Sequence, residues 1–277
     1  MIAHSKINLG LEVLHKRTDG YHEINTVFYR VREPHDELQI TRGGFFRFTL
    51  SGAELPADES NLVLRAAHAF ERWTERPLPP VHMHLHKQIP MGAGLGGGSS
   101  DAAAMFAFLS EEHRLNEAER RELIRFSANT GADVPFFLSG SRAAVAHGIG
   151  EILEPIALEI PASILIVIDP GIQSSTREAY AALSPEVGRR GTNYAEFFRK
   201  PPALRQWREH LCNDFEPDVF RRYPKLAQIK QQLYREGAAF ALLSGSGSAL
   251  FGLFEDTQKG EHAKHTFEAE GLLAWLS

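Results

Sequence analysis

Cysteine is all but missing: Cys212 is the only one in 277 residues. An intrachain disulfide is therefore excluded, and the chain suits a reducing compartment such as the cytoplasm. Long apolar runs are missing too. A membrane helix needs ~18 consecutive apolar residues. The longest candidates, Ile164–Ile168 and the Ser/Gly-broken stretch Ala238–Phe254, do not supply them. Lys6, Asn8 and Glu12 interrupt the first residues, so no secretory leader is expected. Positive charge is not in excess. A net charge of −5 and a pI near 6.2 give no reason to expect nucleic-acid or membrane partners. What is present is globular material, 43% hydrophobic and 23% charged, which argues against a disordered chain.

Strand and helix patterns mix along the whole length. Ile7, Leu9, Leu11 and Val13 alternate with polar or small residues, which predicts a strand. Further strands are expected at Ile24–Arg32, Asp36–Thr41 and Val81–Lys87. Helical spacing covers Asn61–Trp73, with Asn61 as cap. An alanine-rich helix is expected over Asp101–His113, capped by Ser99 and Ser100. Asn116 with Glu119 predicts a capping box opening a helix that ends near Gly131. Arg142–Ile156 reads as a hairpin and Ser163–Ile168 as a strand at a sheet centre. Helices follow at Thr176–Leu183, Leu204–Phe215, Pro224–Glu236 and Thr257–Glu270, with a hairpin over Ala239–Phe254. The fold class is α+β, in two halves divided as residues 1–156 and 157–277.

The glycine cluster Gly92-Ala-Gly-Leu-Gly-Gly-Gly98 is the strongest chemical signal. Its bare amides, followed by a helix start, suit a phosphate; a plain turn would need only one or two glycines. Gly92, Gly94 and Gly97 match G-x-G-x-x-G, but no strand leads into Gly92 and no acidic strand tip follows, so a dinucleotide fold is disfavoured. No Lys-Ser/Thr pair follows, so this is not a P-loop.

Lys6 and Asn8 share one strand face, which Gly10 extends and leaves roomy; they serve a polar substrate or merely a solvated face. Asp133, before Val134-Pro135-Phe-Phe, is either a general base or the cap of a short helix. Asp19-Gly-Tyr21-His22 projects an aromatic beside an imidazole, or is an ordinary turn. His82, His84 and His86 alternate on one strand, ~7 Å apart, too far to share a metal easily. Cys212 has no spaced partner and reads as structural.

In combination these segments resemble the GHMP kinases. Three stretches carry the likeness, in order: Lys6-Ile-Asn-Leu9, Pro90-Met-Gly-Ala-Gly-Leu-Gly-Gly-Gly-Ser-Ser100 and Ser244-Gly-Ser-Gly-Ser-Ala-Leu-Phe251. Asp19–His22 and Gly131-Ala-Asp-Val-Pro-Phe136 point to the branch with a cytidyl substrate.

The resemblance implies an N-terminal domain like ribosomal protein S5, for ATP, and a ferredoxin-like C-terminal domain for substrate. It implies transfer of the ATP γ-phosphoryl group to the 2-hydroxyl of 4-diphosphocytidyl-2-C-methylerythritol, in the cytoplasm, with Mg²⁺ required. Lys6 and Asp133 are then catalytic. Pro90, Gly92, Gly94 and Leu95 form the first half of the phosphate loop, and Gly96, Gly97, Gly98, Ser99 and Ser100 its second. Asn61 and Lys87 lie near the adenosine. Tyr21 and Tyr180 stack on the cytosine, His22 reads its edge, and Asn8 and Thr176 contact the rest of the substrate. No protein ligand for the metal is implied.

Overall fold

A computed structural model describes residues 1–53, 60–183 and 191–277. Two compact units emerge from the chain. The first comprises Met1–Ser5, Pro34–Met91 and Gly96–Ser141, the second Lys6–Glu33, Gly92–Leu95 and Arg142–Ser277. Strands β1 (Ile2–Lys16) and β2 (His22–Arg42) pair with each other and contribute to both units. The expected separate strands at Ile24–Arg32 and Asp36–Thr41 are thus one. Pro34 does not break it, because the residue before a proline is already extended and proline sacrifices only one donor. That donor falls between the stretch pairing β5 and the stretch pairing β4.

In the first unit, β4 (Val81–His86) runs antiparallel to the end of β2, with Glu37 opposite His86 and Arg42 opposite Val81. Strand β3 (Arg47–Ser51) lies parallel to β4. Helix α1 (Leu62–Thr74) starts where the Asn61 side chain accepts a hydrogen bond from the Val63 amide, and buries Val63, Ala66, Ala67 and Phe70. Helix α2 (Gly97–Glu112) packs on α1, where a Cβ at Gly98 would stand 3.1 Å from Leu62 Cδ1. It begins four residues earlier than expected. Gly96, at φ 71°, turns the chain into it, and neither Ser99 nor Ser100 is the cap. Helix α3 (Glu117–Ser127) has the expected Asn116–Glu119 capping box. Helix α4 (Val134–Leu138) follows and packs on α2.

In the second unit, β5 (Ala143–His147) pairs with the start of β2 and forms the expected hairpin with β6 (Ile152–Pro155). A second sheet has the order β10-β7-β9-β8, with β7 (Ser163–Ile168) internal as its apolar run predicts. Strands β8 (Phe240–Leu243) and β9 (Leu250–Phe254) are the expected hairpin. Helix α5 covers Thr176–Ala182, α6 Tyr194–Arg199, α7 Glu216–Arg222, α8 Pro224–Arg235 and α9 Thr257–Ala269. Leu226, Ile229 and Leu233 of α8 and Ala263 and Phe267 of α9 share one core with Leu165, Val167 and Phe254. The final strand β10 (Leu273–Leu276) pairs antiparallel with β7 and had no sequence signal.

The helix expected over Leu204–Phe215 does not form. A 3-10 turn covers Leu204–Glu209, and the chain then runs beside β1. There the Leu11 amide donates to the Cys212 carbonyl and the Asp214 amide to the Leu11 carbonyl. Pairing to a neighbouring strand satisfies backbone groups that a helix would otherwise have used. Cys212 itself is exposed rather than packed.

Candidate active site

Alternation along β1 puts Lys6, Asn8, Gly10 and Glu12 on one face. That face is not solvated: Lys6 is 4% exposed, Asn8 1% and Glu12 5%. A buried ammonium must be paired. Lys6 Nζ donates to Asn8 Oδ1 at 2.7 Å and to the Gly94 carbonyl at 3.0 Å, and lies 5.1 Å from the Phe28 ring centroid. Asn8 Nδ2 in turn donates to Thr26 Oγ1 at 2.8 Å. The room left by Gly10 is taken by Tyr194, whose hydroxyl lies 2.6 Å from where a Cβ would stand. Thr26 and Tyr194 carried no sequence signal, since their partners are far along the chain.

The glycine cluster starts in the second unit. Gly92 and Gly94 have φ of 65° and 77°, a region side chains avoid. At Gly94 a Cβ would also stand 2.0 Å from the Ser244 carbonyl. Ser244 Oγ donates to the Gly94 carbonyl at 2.9 Å, and the Ala249 amide to that of Ala93 at 3.0 Å. Segment 92–95 is thus bound to the Ser244–Ser248 loop. That loop is itself held by hydroxyl and amide groups. Ser174 Oγ donates to the Ser246 carbonyl at 2.6 Å, and Thr176 Oγ1 lies 2.9 Å from Ser246 Oγ. Asn213 Nδ2 reaches the carbonyls of Leu243 and Gly245, both at 2.8 Å. The Leu95 side chain is buried, and its carbonyl accepts from the Lys6 amide at 3.0 Å.

In the first unit, the second half of the cluster opens α2. Gly96 has no capping side chain, so the first amides of a 16-residue helix are left for another acceptor. Gly97 is needed for close approach, because a Cβ there would meet Ile89 Cγ2 at 2.8 Å.

Lys87, expected near a nucleotide, is occupied with two carboxylates. Its Nζ lies 2.5 Å from Asp36 Oδ2 and 2.7 Å from Asp101 Oδ2, with all three side chains 3% exposed or less. Burial lowers the Lys87 pKa, but Asp101 and Asp36 more than reverse this and raise it. Burial pushes the Asp101 carboxyl up to about 7, against the pull of Lys87. Asp36 Oδ1 accepts from the amides of Gln88 and Ile89 at 2.6 and 2.9 Å. The trio therefore grips the chain just before the glycine cluster and again at the fifth residue of α2. Asn61 is engaged as the α1 cap.

Asp133 occupies the N-cap position of α4 with helical dihedrals (φ −83°, ψ −12°) and makes no side-chain capping bond. It therefore holds the position of a cap without the side-chain bond of one. Two of the three histidines of β4 bond to β3: His84 Nε2 and His86 Nδ1 lie 2.8 and 3.0 Å from Ser51 Oγ. Among the described residues no group of three His, Cys, Asp or Glu is placed to hold a metal.

The turn before β2 is ordered by its own side chains. Asp19 Oδ1 accepts from the Tyr21 amide at 3.0 Å, and Arg17 pairs with Asp19 and Glu23. Tyr21 is 60% exposed. His22 stacks on Tyr180, with ring centroids 5.0 Å apart and planes 24° apart, and Tyr180 sits edge-on to Phe215 at 4.9 Å. Burial, aided by Lys16, pulls the His22 imidazole below its ordinary pKa. It is therefore neutral at pH 7, with one ring nitrogen a donor and the other an acceptor.

The buried lysine bound to a glycine-loop carbonyl and the stacked aromatic–imidazole pair are both features of a known class. The family models for the GHMP kinases N terminal domain and the GHMP kinases C terminal match residues 61–141 and 196–271. The chain belongs to the GHMP kinase family, and its α+β fold is the fold of that family. The 4-diphosphocytidyl-2-C-methyl-D-erythritol kinase of Bacteroides fragilis is 40% identical over 269 residues, 96% of this chain and 94% of that one. The enzyme of the same name from Bacteroides thetaiotaomicron is 42% identical over 255 residues, 91% of this chain and 90% of that one. A crystal structure of 4-(cytidine 5'-diphospho)-2C-methyl-D-erythritol kinase superposes with a TM-score of 0.79 at 34% identity, over 100% of this chain and 97% of that one.

Proposed function

We propose that the chain is an ATP-dependent kinase that phosphorylates the 2-hydroxyl of 4-diphosphocytidyl-2-C-methyl-D-erythritol, the kinase step of the non-mevalonate route to isoprenoid precursors. The observation that carries the reading is the buried Lys6, tied to Asn8 and to the Gly94 carbonyl of the glycine loop. Relatives of the same printed name at about 40% identity over nearly the full length support it.

A tertiary hydroxyl is a weak nucleophile and needs proton removal and neutralised phosphate charge. In this reading Asp133 takes the proton, and the Lys6 ammonium stabilises negative charge developing in transfer. The triphosphate is held by backbone amides of the loop from Pro90 through Gly92, Gly94 and Leu95 to Gly96, Gly97, Gly98, Ser99 and Ser100. Asn61 and Lys87 serve the adenosine side, Lys87 through the chain that it braces. Mg²⁺ would supply neutralisation of phosphate charge and would be held chiefly by the triphosphate, since this ion keeps waters and takes few protein carboxylates. Tyr21 and Tyr180 stack on the cytosine, and neutral His22 bonds its edge. Thr176 holds the remaining polar groups, and Asn8 serves the substrate through its hold on Lys6.

Residues 1–156 chiefly serve ATP and residues 157–277 the second substrate. The lone Cys212 supports a cytoplasmic setting, and no helix among the described residues is long and apolar enough to cross a membrane.

The test is transfer of labelled phosphate from ATP to the cytidyl substrate by purified protein, with homoserine and mevalonate as competing acceptors. Turnover with the cytidyl substrate alone is expected. Turnover with another acceptor would move the chain elsewhere in the family, and none with any acceptor would remove the reading.

A further inference from the structure

We infer that Thr26 is a positioning residue for Lys6, acting through Asn8; this rests on the reading of Lys6 as the catalytic cation. Three hydrogen bonds in series set the argument. Thr26 Oγ1 donates to the Gly10 carbonyl at 2.5 Å. A carbonyl can only accept and a hydroxyl has one proton, so that proton is committed. The remaining lone pairs of Oγ1 face the Asn8 amide at 2.8 Å. Asn8 must therefore present its NH₂ group to Thr26, which leaves Oδ1 turned toward Lys6 Nζ at 2.7 Å.

The series fixes an amide orientation that would otherwise be ambiguous. Thr26 is 0% exposed and Asn8 1% exposed, so water does not compete for these positions. Were the amide reversed, its NH₂ would face an ammonium, two donors with no acceptor between them. Nζ would then keep the Gly94 carbonyl and lose its partner on β1. Thr26 thus sets where the charge of Lys6 stands without touching Lys6.

The experiment compares Thr26→Val, Thr26→Ser and Lys6→Met by steady-state kinetics, with thermal unfolding alongside. Valine keeps the volume and removes the hydroxyl; serine keeps the hydroxyl. Thr26→Val is expected to lower kcat about 10–100-fold, the scale of a misplaced catalytic group, with both KM values within about twofold of wild type. Thr26→Ser is expected to keep kcat within about threefold. Should the valine variant not accumulate folded, Thr26→Ala is read by the same split between kcat and KM. If Lys6→Met abolishes turnover but the variant without the hydroxyl turns over normally, the inference is overturned and the reading of Lys6 stands. Serine no better than valine, or KM rising as much as kcat falls, also overturns it, because Thr26 would then act by packing. Near-normal turnover in Lys6→Met removes the reading of Lys6 and the inference with it.

Discussion

The Lys87 ammonium and the Asp36 carboxylate lie 2.5 Å apart, with side chains 3% and 0% exposed. Asp101 completes the trio from the fifth residue of α2. Removing one member of a buried ion pair strands the other charge, at a cost of roughly 3–5 kcal/mol. Lys87→Met should therefore lower the unfolding free energy on that scale, because two carboxylates lose the cation that they share. Urea titration at pH 7 checks this. A loss below about 1 kcal/mol would mean that the trio is more hydrated than its burial indicates.

The same trio predicts a pH dependence. Two carboxylates share one ammonium, and the Asp101 carboxyl is pushed up to about 7 from an ordinary 3.8. A carboxyl with a raised folded pKa holds its proton more tightly when folded. Its contribution to stability is full below about pH 4 and is lost as pH rises through about 7. Asp101→Asn is neutral throughout and removes that slope. Relative to wild type, the Asn variant should gain stability between pH 5 and pH 8, measured by urea midpoints. A difference independent of pH would contradict the raised pKa.

How much of this was legible beforehand depends on sequence distance. The face shared by Lys6 and Asn8 follows from alternation, and the Asn116–Glu119 capping box from spacing within one turn. What decides the Lys6 face is its burial, and that comes from Thr26, Phe28, Gly94 and Tyr194, which no local pattern links to it. Lys87 finds its carboxylates 51 and 14 residues away. Residues 211–214 fail as a helix because Leu11 of β1 offers backbone partners. Strand β10 exists because β7 has a free edge beside it, not because of its own four residues.

Gly96 is the hinge into α2 at φ 71°. Gly96→Ala should cost about 1–2 kcal/mol of stability, the price of a left-handed conformation for a side-chain-bearing residue. Its larger effect should be on ATP, because straining this turn shifts the amides at the start of α2 that are proposed to meet phosphate. Calorimetry should show ATP affinity falling at least tenfold while the cytidyl substrate binds as before. Equal ATP affinity in both proteins would place the phosphates elsewhere.

Tyr180 is half-buried between His22 and Phe215. Tyr180→Phe keeps the ring and should leave the KM for the cytidyl substrate within about twofold. Tyr180→Ala should weaken that substrate by roughly 1–3 kcal/mol, the scale of one base–aromatic stack, and leave the KM for ATP unchanged. His22 adds a pH signature. Its pKa is lowered, so the neutral form persists down to the ordinary value of 6.5 and beyond. The cytidyl KM should stay flat from pH 8 to pH 6.5 and rise only below. A rise beginning above pH 7 would show that His22 binds as the cation or does not bind the base.

Asp133 stands where a cap would stand, yet its side chain makes no capping bond to α4. Asparagine is the sharpest substitution, because it keeps the shape and caps as well as aspartate. If the carboxylate served only the fold, Asp133→Asn would be nearly silent in both stability and activity. As the general base, it loses the proton acceptor. Turnover should then fall by roughly 10²–10⁴-fold, while the KM values for ATP and the cytidyl substrate change little, because the missing interaction belongs to the transition state. The thermal midpoint should stay near that of wild type, which separates lost chemistry from lost structure. Two further arms make the result unambiguous. Asp133→Glu retains a carboxylate one methylene longer and should recover part of the rate, less than wild type but above the Asn variant. Raising the pH should not rescue Asp133→Asn, since an amide gains no basicity in that range. A folded Asp133→Asn protein with near-normal turnover would take the proton-transfer role from Asp133 and leave the charge of Lys6 to work without it.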